Sequence, residues 1–305
     1  MNNKRIDKRK AGFLLITIGP AFVFYCLFTL WPNLMSAYYS LLEWNGVSKP
    51  KFVGLNNFIA LLSDDRVWRG LAINLIILVI TVPTVVLLAL FLAFALTNTK
   101  FRENRFYRVL FFFPNILPVV VVALLWSFIY DGDMGLLNWL LGKFTSRWEG
   151  NFWLANKETA LFCVMIPMIW CKVGFNMILY INAMQAIPSS LYEVATLEGA
   201  TSLQKLRLVT VPLIRETVVV STVFLMLGAF RDFELIMLTT NGGPGGTTTT
   251  LGFYMYTLAF GQGGAGVSVV HLYGYASAAG MLLMVVLLVL KAVMDRFTKA
   301  ESVQY

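Results

Sequence analysis

Ala72-Ile-Asn-Leu-Ile-Ile-Leu-Val-Ile-Thr-Val-Pro-Thr-Val-Val-Leu-Leu-Ala-Leu-Phe-Leu-Ala-Phe-Ala-Leu-Thr97 contains no charged residue. About 20 mostly apolar residues suffice to carry a helix across the hydrocarbon core of a bilayer. The apolar positions run on without alternating, so the stretch reads as a membrane helix and not as a barrel strand. Five further runs are also long and mostly apolar, at approximately Ala11–Trp31, Val109–Tyr130, Ala160–Met184, Thr217–Thr240 and Tyr273–Val293. The expected fold is therefore all-α, a polytopic membrane protein with six transmembrane helices.

Composition points the same way. Of 305 residues, 58% are hydrophobic and 13% charged, about half the charge share of a soluble domain. A soluble chain of this length would form about two domains, each needing polar surface, and the residues to cover them are missing. That argues against a cytosolic enzyme, a disordered protein or a nucleic-acid-binding domain. Cys26, Cys163 and Cys171 all lie in apolar runs, and their odd number and spacing suggest neither a disulfide framework nor a zinc site. The single His271 cannot build a histidine metal site. No metal, cofactor or catalytic residue is expected.

Lys4, Arg5, Lys8, Arg9 and Lys10 precede the first run. That run is too long for a signal-peptide core and no small-x-small cleavage site follows, so it is expected to be a retained span. With residues 1–10 inside, further cations fall inside at Lys100, Arg102, Arg105, Arg108, Lys205, Arg207, Arg215, Lys291, Arg296 and Lys299. Only Lys49, Lys51, Arg66, Arg69, Lys143, Arg147 and Lys157 fall outside. The positive-inside rule thus expects both termini in the cytoplasm, the second tail being 297–305. This distribution also accounts for the net charge of +8 without nucleic acid.

The first outer connection, near Pro32–Gly70, holds an amphipathic stretch, Asn57–Leu62, after a turn-like Gly54. The fifth, Asn241–Gly266, is rich in Gly and Thr and reads as a loop with tight turns. Four ionisable residues fall at membrane depth, where charge is costly and faces protein or water: Lys172 in the fourth span, and Arg231, Asp232 and Glu234 in the fifth. In a continuous helix Arg231 and Glu234 would share a face and could pair locally. Leu225, Ala229 and Asp232 would form one stripe.

Ile187-Pro-Ser-Ser-Leu-Tyr-Glu-Val-Ala-Thr-Leu-Glu-Gly-Ala-Thr-Ser-Leu-Gln-Lys-Leu-Arg-Leu-Val-Thr-Val-Pro-Leu-Ile214 reads as two short helices around a glycine. Ser190 with Glu193, and Thr201 with Gln204, each have capping-box spacing. Gly199 suits a position where the chain bends, and Pro212 marks a helix end or the start of the next span. A compact helical hairpin on the cytoplasmic side of the membrane is a natural docking element for a soluble partner.

This segment resembles the EAA loop in the membrane subunits of bacterial binding-protein-dependent ATP-binding-cassette importers, roughly I-P-x-x-L-Y-E-A-A-x-x-D-G-A with a later Pro. Ile187, Pro188, Leu191, Tyr192, Glu193, Ala195, Gly199, Ala200 and Pro212 stand in register. Val194 and Glu198 replace the usual Ala and Asp, and Leu203 and Leu206 replace common aromatics. The resemblance runs from about residue 11 to 296. It includes Phe52-Val-Gly-Leu-Asn-Asn-Phe58, Pro114, Pro118 and Gly135-Leu-Leu-Asn138. It also includes Leu238-Thr-Thr-Asn-Gly-Gly-Pro-Gly-Gly-Thr-Thr248, which is similar to the L-T-x-G-G-P-x-x-x-T-T signature of carbohydrate permeases of the maltose and multiple-sugar type. The extra spans and large outer insertion of the maltose subunit itself are missing.

The resemblance implies a MetI-like permease fold in the bacterial cytoplasmic membrane, resembling the MalF-type subunit. Its implied partners are a second homologous permease, an ATPase dimer, an external solute-binding protein and a carbohydrate substrate. It assigns Tyr192, Glu193, Ala195, Gly199, Ala200 and Pro212 to ATPase coupling. It matches Lys172, Phe175, Asn176, Leu225, Ala229 and Asp232 to the lining of a sugar pathway, where hydroxyls want hydrogen-bonding groups and an aromatic platform. Gly142-Lys143 is followed by Phe144 rather than Ser or Thr, so no phosphate-binding loop is present, and ATP hydrolysis is expected on another subunit. An importer of glycerol phosphates or similar polyol esters would share this architecture. A membrane enzyme would show clustered His, Asp or Glu, and a secondary carrier would not need an ATPase-docking loop.

Overall fold

The structure, a computed structural model, describes residues 8–98, 104–144, 150–261 and 272–298. Lys4, Arg5, Lys100, Arg102, Arg147, Lys299, His271, most of both tails and the Gly266 end of the fifth connection lie outside the described residues. The elements in chain order begin with α1 (Lys8–Tyr25), a π turn (Cys26–Leu30) and α2 (Trp31–Tyr39). The strands β1 (Leu42–Glu43) and β2 (Lys51–Phe52) and the helix α3 (Asn56–Leu62) come next. Then follow α4 (Asp65–Asn98), α5 (Asn104–Ile116), α6 (Val119–Ile129), α7 (Leu136–Phe144) and α8 (Ala160–Gln185). Next are α9 (Ser189–Leu197), α10 (Ser202–Lys205), a second π turn (Leu206–Thr210) and α11 (Val211–Leu213). The chain continues with α12 (Arg215–Arg231), α13 (Glu234–Thr239), α14 (Leu251–Phe260) and α15 (Tyr273–Thr298).

Among the described residues four helices are long and apolar enough to cross a membrane: Ile16–Tyr39, Asp65–Thr97, Ala160–Gln185 and Tyr273–Met294. Two bent pairs, Asn104–Ile116 with Val119–Ile129 and Ser202–Leu213 with Arg215–Arg231, bring the total to six when each pair counts as one. Three of the expected spans need correction. The first runs past Trp31 to Tyr39. Pro32 lacks an N–H and its ring crowds the carbonyl four residues back. The π turn just before it, closed by the Trp31 N–H on the Cys26 carbonyl, makes room and lets the helix continue.

The third span is not continuous but bends by 99° between α5 and α6. Pro118 caps α6 with extended backbone, ψ 141°, and disfavours helical geometry at Leu117. The fifth span stops at Arg231. Asp232 and Phe233 interrupt it, and α13 follows, so Arg231 and Glu234 share no helix face. The loop expected over Asn241–Gly266 is a glycine turn followed by α14. Thr248 and Thr249 hydroxyls donate to the Gly243 and Gly242 carbonyls at 2.9 and 3.0 Å.

The chain divides into two compact units, residues 1–64 with 255–285, and 65–254 with 286–305. In the first, β1 and β2 pair antiparallel with Leu42 opposite Phe52. Asn57 Nδ2 donates to the Ser40 and Leu42 carbonyls, both at 2.9 Å, and so fastens α3, the expected amphipathic stretch, to the hairpin. In the second, α8 packs on α4, α5 and α12. Apolar burial drives helix association weakly in lipid, so small residues and buried hydrogen bonds carry more of it. A Cβ on Gly174 would fall on the Phe111 carbonyl, which sets the close approach of α8 to α5. Ala89 and Ala93 are fully buried between larger side chains. The buried Tyr180 and Ser221 hydroxyls join α8 to α12 at 2.6 Å.

Candidate functional site

The hairpin at 187–214 is built by local rules. Helix α9 ends in a Schellman arrangement. The Gly199 N–H donates to the Thr196 carbonyl at 3.0 Å, and the Ala200 N–H donates to the Ala195 carbonyl at 2.9 Å. This closure requires a left-handed residue just past the helix, and Gly199 has φ +77°. Ala195 and Ala200 are thus the two ends of one turn-closing bond. Thr201 and Gln204 form a reciprocal capping box at the start of α10. The Ser190–Glu193 box does not form. Pro188 already occupies the cap position of α9 with extended backbone, which places Ser190 inside the helix. Tyr192 Oη and Thr210 Oγ1 lie 2.9 Å apart, tying α9 to the approach of α12. Loss of the Thr201 cap costs about 1 kcal/mol. Thr201→Ala is therefore expected to speed amide exchange across 202–206 roughly five-fold with the spans unaffected, as read by hydrogen-exchange mass spectrometry.

Beneath this hairpin Ile187, Leu206 and Val211 pack on the α4–α8 core around Ala93, Met177 and Ile181. The opposite side is bare: Leu197 is 88% and Leu203 73% exposed, and Glu193 is exposed as well. Displacement of the hairpin would therefore act directly on α4 and α8.

The second constellation lies where the spans break. Lys172 Nζ and Asp232 Oδ2 form an ion pair at 2.6 Å, with side chains 27% and 39% exposed. Gly228 clears space for it. A Cβ there would come 2.9 Å from Lys172 Nζ and 3.1 Å from Asp232 Oδ2. Lys172, Phe175, Asn176, Leu225 and Asp232 line one pocket of about 470 Å³ with Asn115, Ser221, Phe224 and Arg231. Asn115, Lys172 and Asp232 also border a neighbouring pocket of about 270 Å³ that includes Pro114, Pro167 and Glu234. Asn176 Nδ2 donates to the Lys172 carbonyl at 2.8 Å.

Five of the six expected pathway residues therefore meet at one pocket. Ala229 is the exception: it is buried and its carbonyl accepts from Asn74. The expected Arg231–Glu234 pairing is replaced by Lys172–Asp232, because the helix that would have aligned the former ends at Arg231. Sequence reasoning does not single out Asn115 or Ser221, and it reads Arg231 only as a charge at membrane depth. Asn115 stands between the bend-forming prolines 114 and 118 and could have been read from that position. Broken helices expose backbone polar groups, which at membrane depth are tolerated only against protein or a water-filled cavity. The coincidence of both breaks with these pockets has that physical basis.

A family model described as "Binding-protein-dependent transport system inner membrane component" matches residues 57–302. The chain is 32% identical over 301 residues to the diacetylchitobiose uptake system permease protein NgcF of Streptomyces coelicolor, covering 95% of this chain and 83% of that protein. It is 30% identical over 289 residues to the sn-glycerol-3-phosphate transport system permease protein UgpA of Yersinia pestis, covering 94% of each. A chain of the crystal structure of a bacterial alginate ABC transporter, in complex with an alginate pentasaccharide-bound periplasmic protein, matches with a TM-score of 0.80. It is 23% identical and the match covers 95% of both chains, a likeness of fold.

Proposed function

Because the chain belongs to the family of binding-protein-dependent transport system inner membrane components, we propose that it is one of two permease halves of an ATP-driven carbohydrate importer. Its termini and the 187–214 hairpin lie in the cytoplasm of a bacterial cell, and an external binding protein delivers the sugar. The hairpin seats in an ATPase subunit through Tyr192, Glu193, Ala195, Gly199, Ala200 and Pro212, and nucleotide-driven closure of the ATPases moves it. A rigid-body rocking of the spans then alternates access to the pocket. Lys172, Phe175, Asn176, Leu225 and Asp232 face the passing solute, with Phe175 as an apolar platform. The observation that carries this reading is the meeting of both span breaks at a pocket lined by charged, amide and aromatic groups.

A second substrate class has one feature in its favour. Lys172 and Arg231 outnumber Asp232 at the 470 Å³ pocket, and a positive excess suits a phosphate ester. The test begins with affinity purification of the tagged chain from native membranes, which is expected to bring down an ATPase and a second permease. Proteoliposomes of that complex are then given ATP, the binding protein and labelled maltose, lactose, diacetylchitobiose or sn-glycerol 3-phosphate. ATP-dependent uptake of a sugar supports the reading. Uptake of the glycerol phosphate alone selects the second class, and uptake without an ATPase subunit refutes both.

A further inference from the structure

Asn74 lies in α4, within the candidate span Asp65–Thr97, and has no exposed surface. Its Nδ2 donates to the Ala229 carbonyl at 2.9 Å, and its Oδ1 accepts from the Leu251 N–H at 3.0 Å. Each partner is a backbone group left over at a helix end. Phe233 would bond Ala229 in an unbroken helix, but its N–H goes to the Arg231 carbonyl at 3.1 Å. Leu251 opens α14, whose first N–H groups have no partner within the helix. Such groups are costly when buried away from water. One amide, offering one donor and one acceptor, satisfies both. Gly70, one turn earlier in α4, completes the seat: a Cβ there would come 2.9 Å from the Leu251 nitrogen.

We propose that Asn74 is a positioning residue. It caps the end of α12 and the start of α14 together, and so holds Asp232, less than a turn beyond Ala229, against Lys172. The capping follows from the geometry alone, whereas its effect on uptake rests on the transport reading above.

Two variants separate the bonds in the assembled transporter. Asn74→Asp is nearly isosteric and keeps an acceptor for Leu251; measured at pH 9, in its ionised form, it turns a carboxylate oxygen toward the Ala229 carbonyl, whereas protonation returns a donor to that carbonyl. Asn74→Leu removes both bonds. Hydrogen-exchange mass spectrometry in nanodiscs is expected to show about ten-fold faster exchange across 228–236 in both variants, and across 250–255 only in Asn74→Leu. Thr81→Val, which loses a hydroxyl bond to the Ile77 carbonyl of its own helix, is expected to change neither region. In uptake of whichever labelled probe of the panel is carried, Asn74→Asp is expected to raise the half-saturating concentration roughly ten-fold. In an Asp232→Asn background that factor falls below about two-fold, because the carboxylate to be positioned is gone. Wild-type exchange in both Asn74 variants overturns the capping. A full additional factor in the Asp232→Asn background overturns the positioning of Asp232. Faster exchange with unaltered uptake leaves the capping standing and overturns the pathway reading instead. Where Asn74→Leu does not assemble, Asn74→Asp carries the test through its pH dependence: faster exchange across 228–236 at pH 9 than at pH 6, relative to wild type at each pH, supports the capping, and wild-type exchange at both overturns it.

Discussion

Glu193→Lys and Gly199→Val are each expected to reduce ATP-dependent uptake by roughly 100-fold or more, about 3 kcal/mol of lost coupling, in chains that still reach the membrane at wild-type abundance. The two act by different physics. Glu193 lies exposed on α9, so replacing it leaves the fold of this chain untouched and changes only what a docking partner meets. Reversal to Lys is expected to be more damaging than neutralisation to Gln, because like charges across an interface cost more than a missing attraction. A Cβ added at Gly199 would meet no other atom within 4 Å, so the damage is not a clash within this chain. Its φ of +77° is left-handed, a region that costs an L-residue about 1–2 kcal/mol and a β-branched one more. Val there opens the Schellman closure between Ala195 and Ala200 and swings α10 away from α9. It also fills space that an ATPase cleft would need. Gly199→Ala is expected to fall between wild type and Val. Uptake, ATPase co-purification and membrane abundance read together make the test. Normal uptake in both Glu193→Lys and Gly199→Val would end the coupling proposal.

What the sequence disclosed divides along the line between local and tertiary physics. The spans at Ala72–Thr97 and Ala160–Met184 were legible because unbroken apolar runs answer to the bilayer alone. The bend at Gly199 was legible because the left-handed conformation restricts residue choice at the position itself. The breaks at Leu117–Pro118 and Asp232–Phe233 were not. Proline is tolerated inside membrane helices, as Pro83 in α4 and Pro167 in α8 show, so Pro118 alone does not announce a 99° bend. Asp232 sat in the Leu225–Ala229–Asp232 stripe, between Arg231 and Glu234 that looked like an i,i+3 pair, and its own partner stands sixty positions away in α8. Whether a helix continues through such a residue depends on whether the freed backbone groups find partners. Here they find Asn74, a polar residue within the apolar run Ala72–Thr97 that sequence reasoning does not single out. Lys172, Phe175, Asn176, Leu225 and Asp232 nevertheless line one pocket, and Gly199 stands at a left-handed turn.

The Lys172–Asp232 pair yields the second large expectation. Asp232→Ala and Lys172→Met are each expected to lower uptake by roughly ten- to hundred-fold, about 1.4–3 kcal/mol. A charge left alone at membrane depth must be rehydrated or neutralised, and either rearranges the pocket around it. The double variant Lys172→Met/Asp232→Leu has no orphaned charge. It is therefore expected to assemble and resist thermal unfolding better than either single variant, while still failing to transport, because the groups proposed to face the solute are gone. That split is diagnostic. A purely structural pair would return both stability and uptake in the double variant. A pair that touches the solute would return stability only. Gly228 supplies an independent handle, since a methyl there would press on both charged ends of the pair. Gly228→Ala should weaken uptake in the same direction as Asp232→Ala, with neither charge removed. Wild-type affinity and rate in Asp232→Ala would take the residue out of the pathway. Recovery of uptake in the double variant would make the pair a structural strut, and the pocket would then need another set of groups to recognise what passes through it.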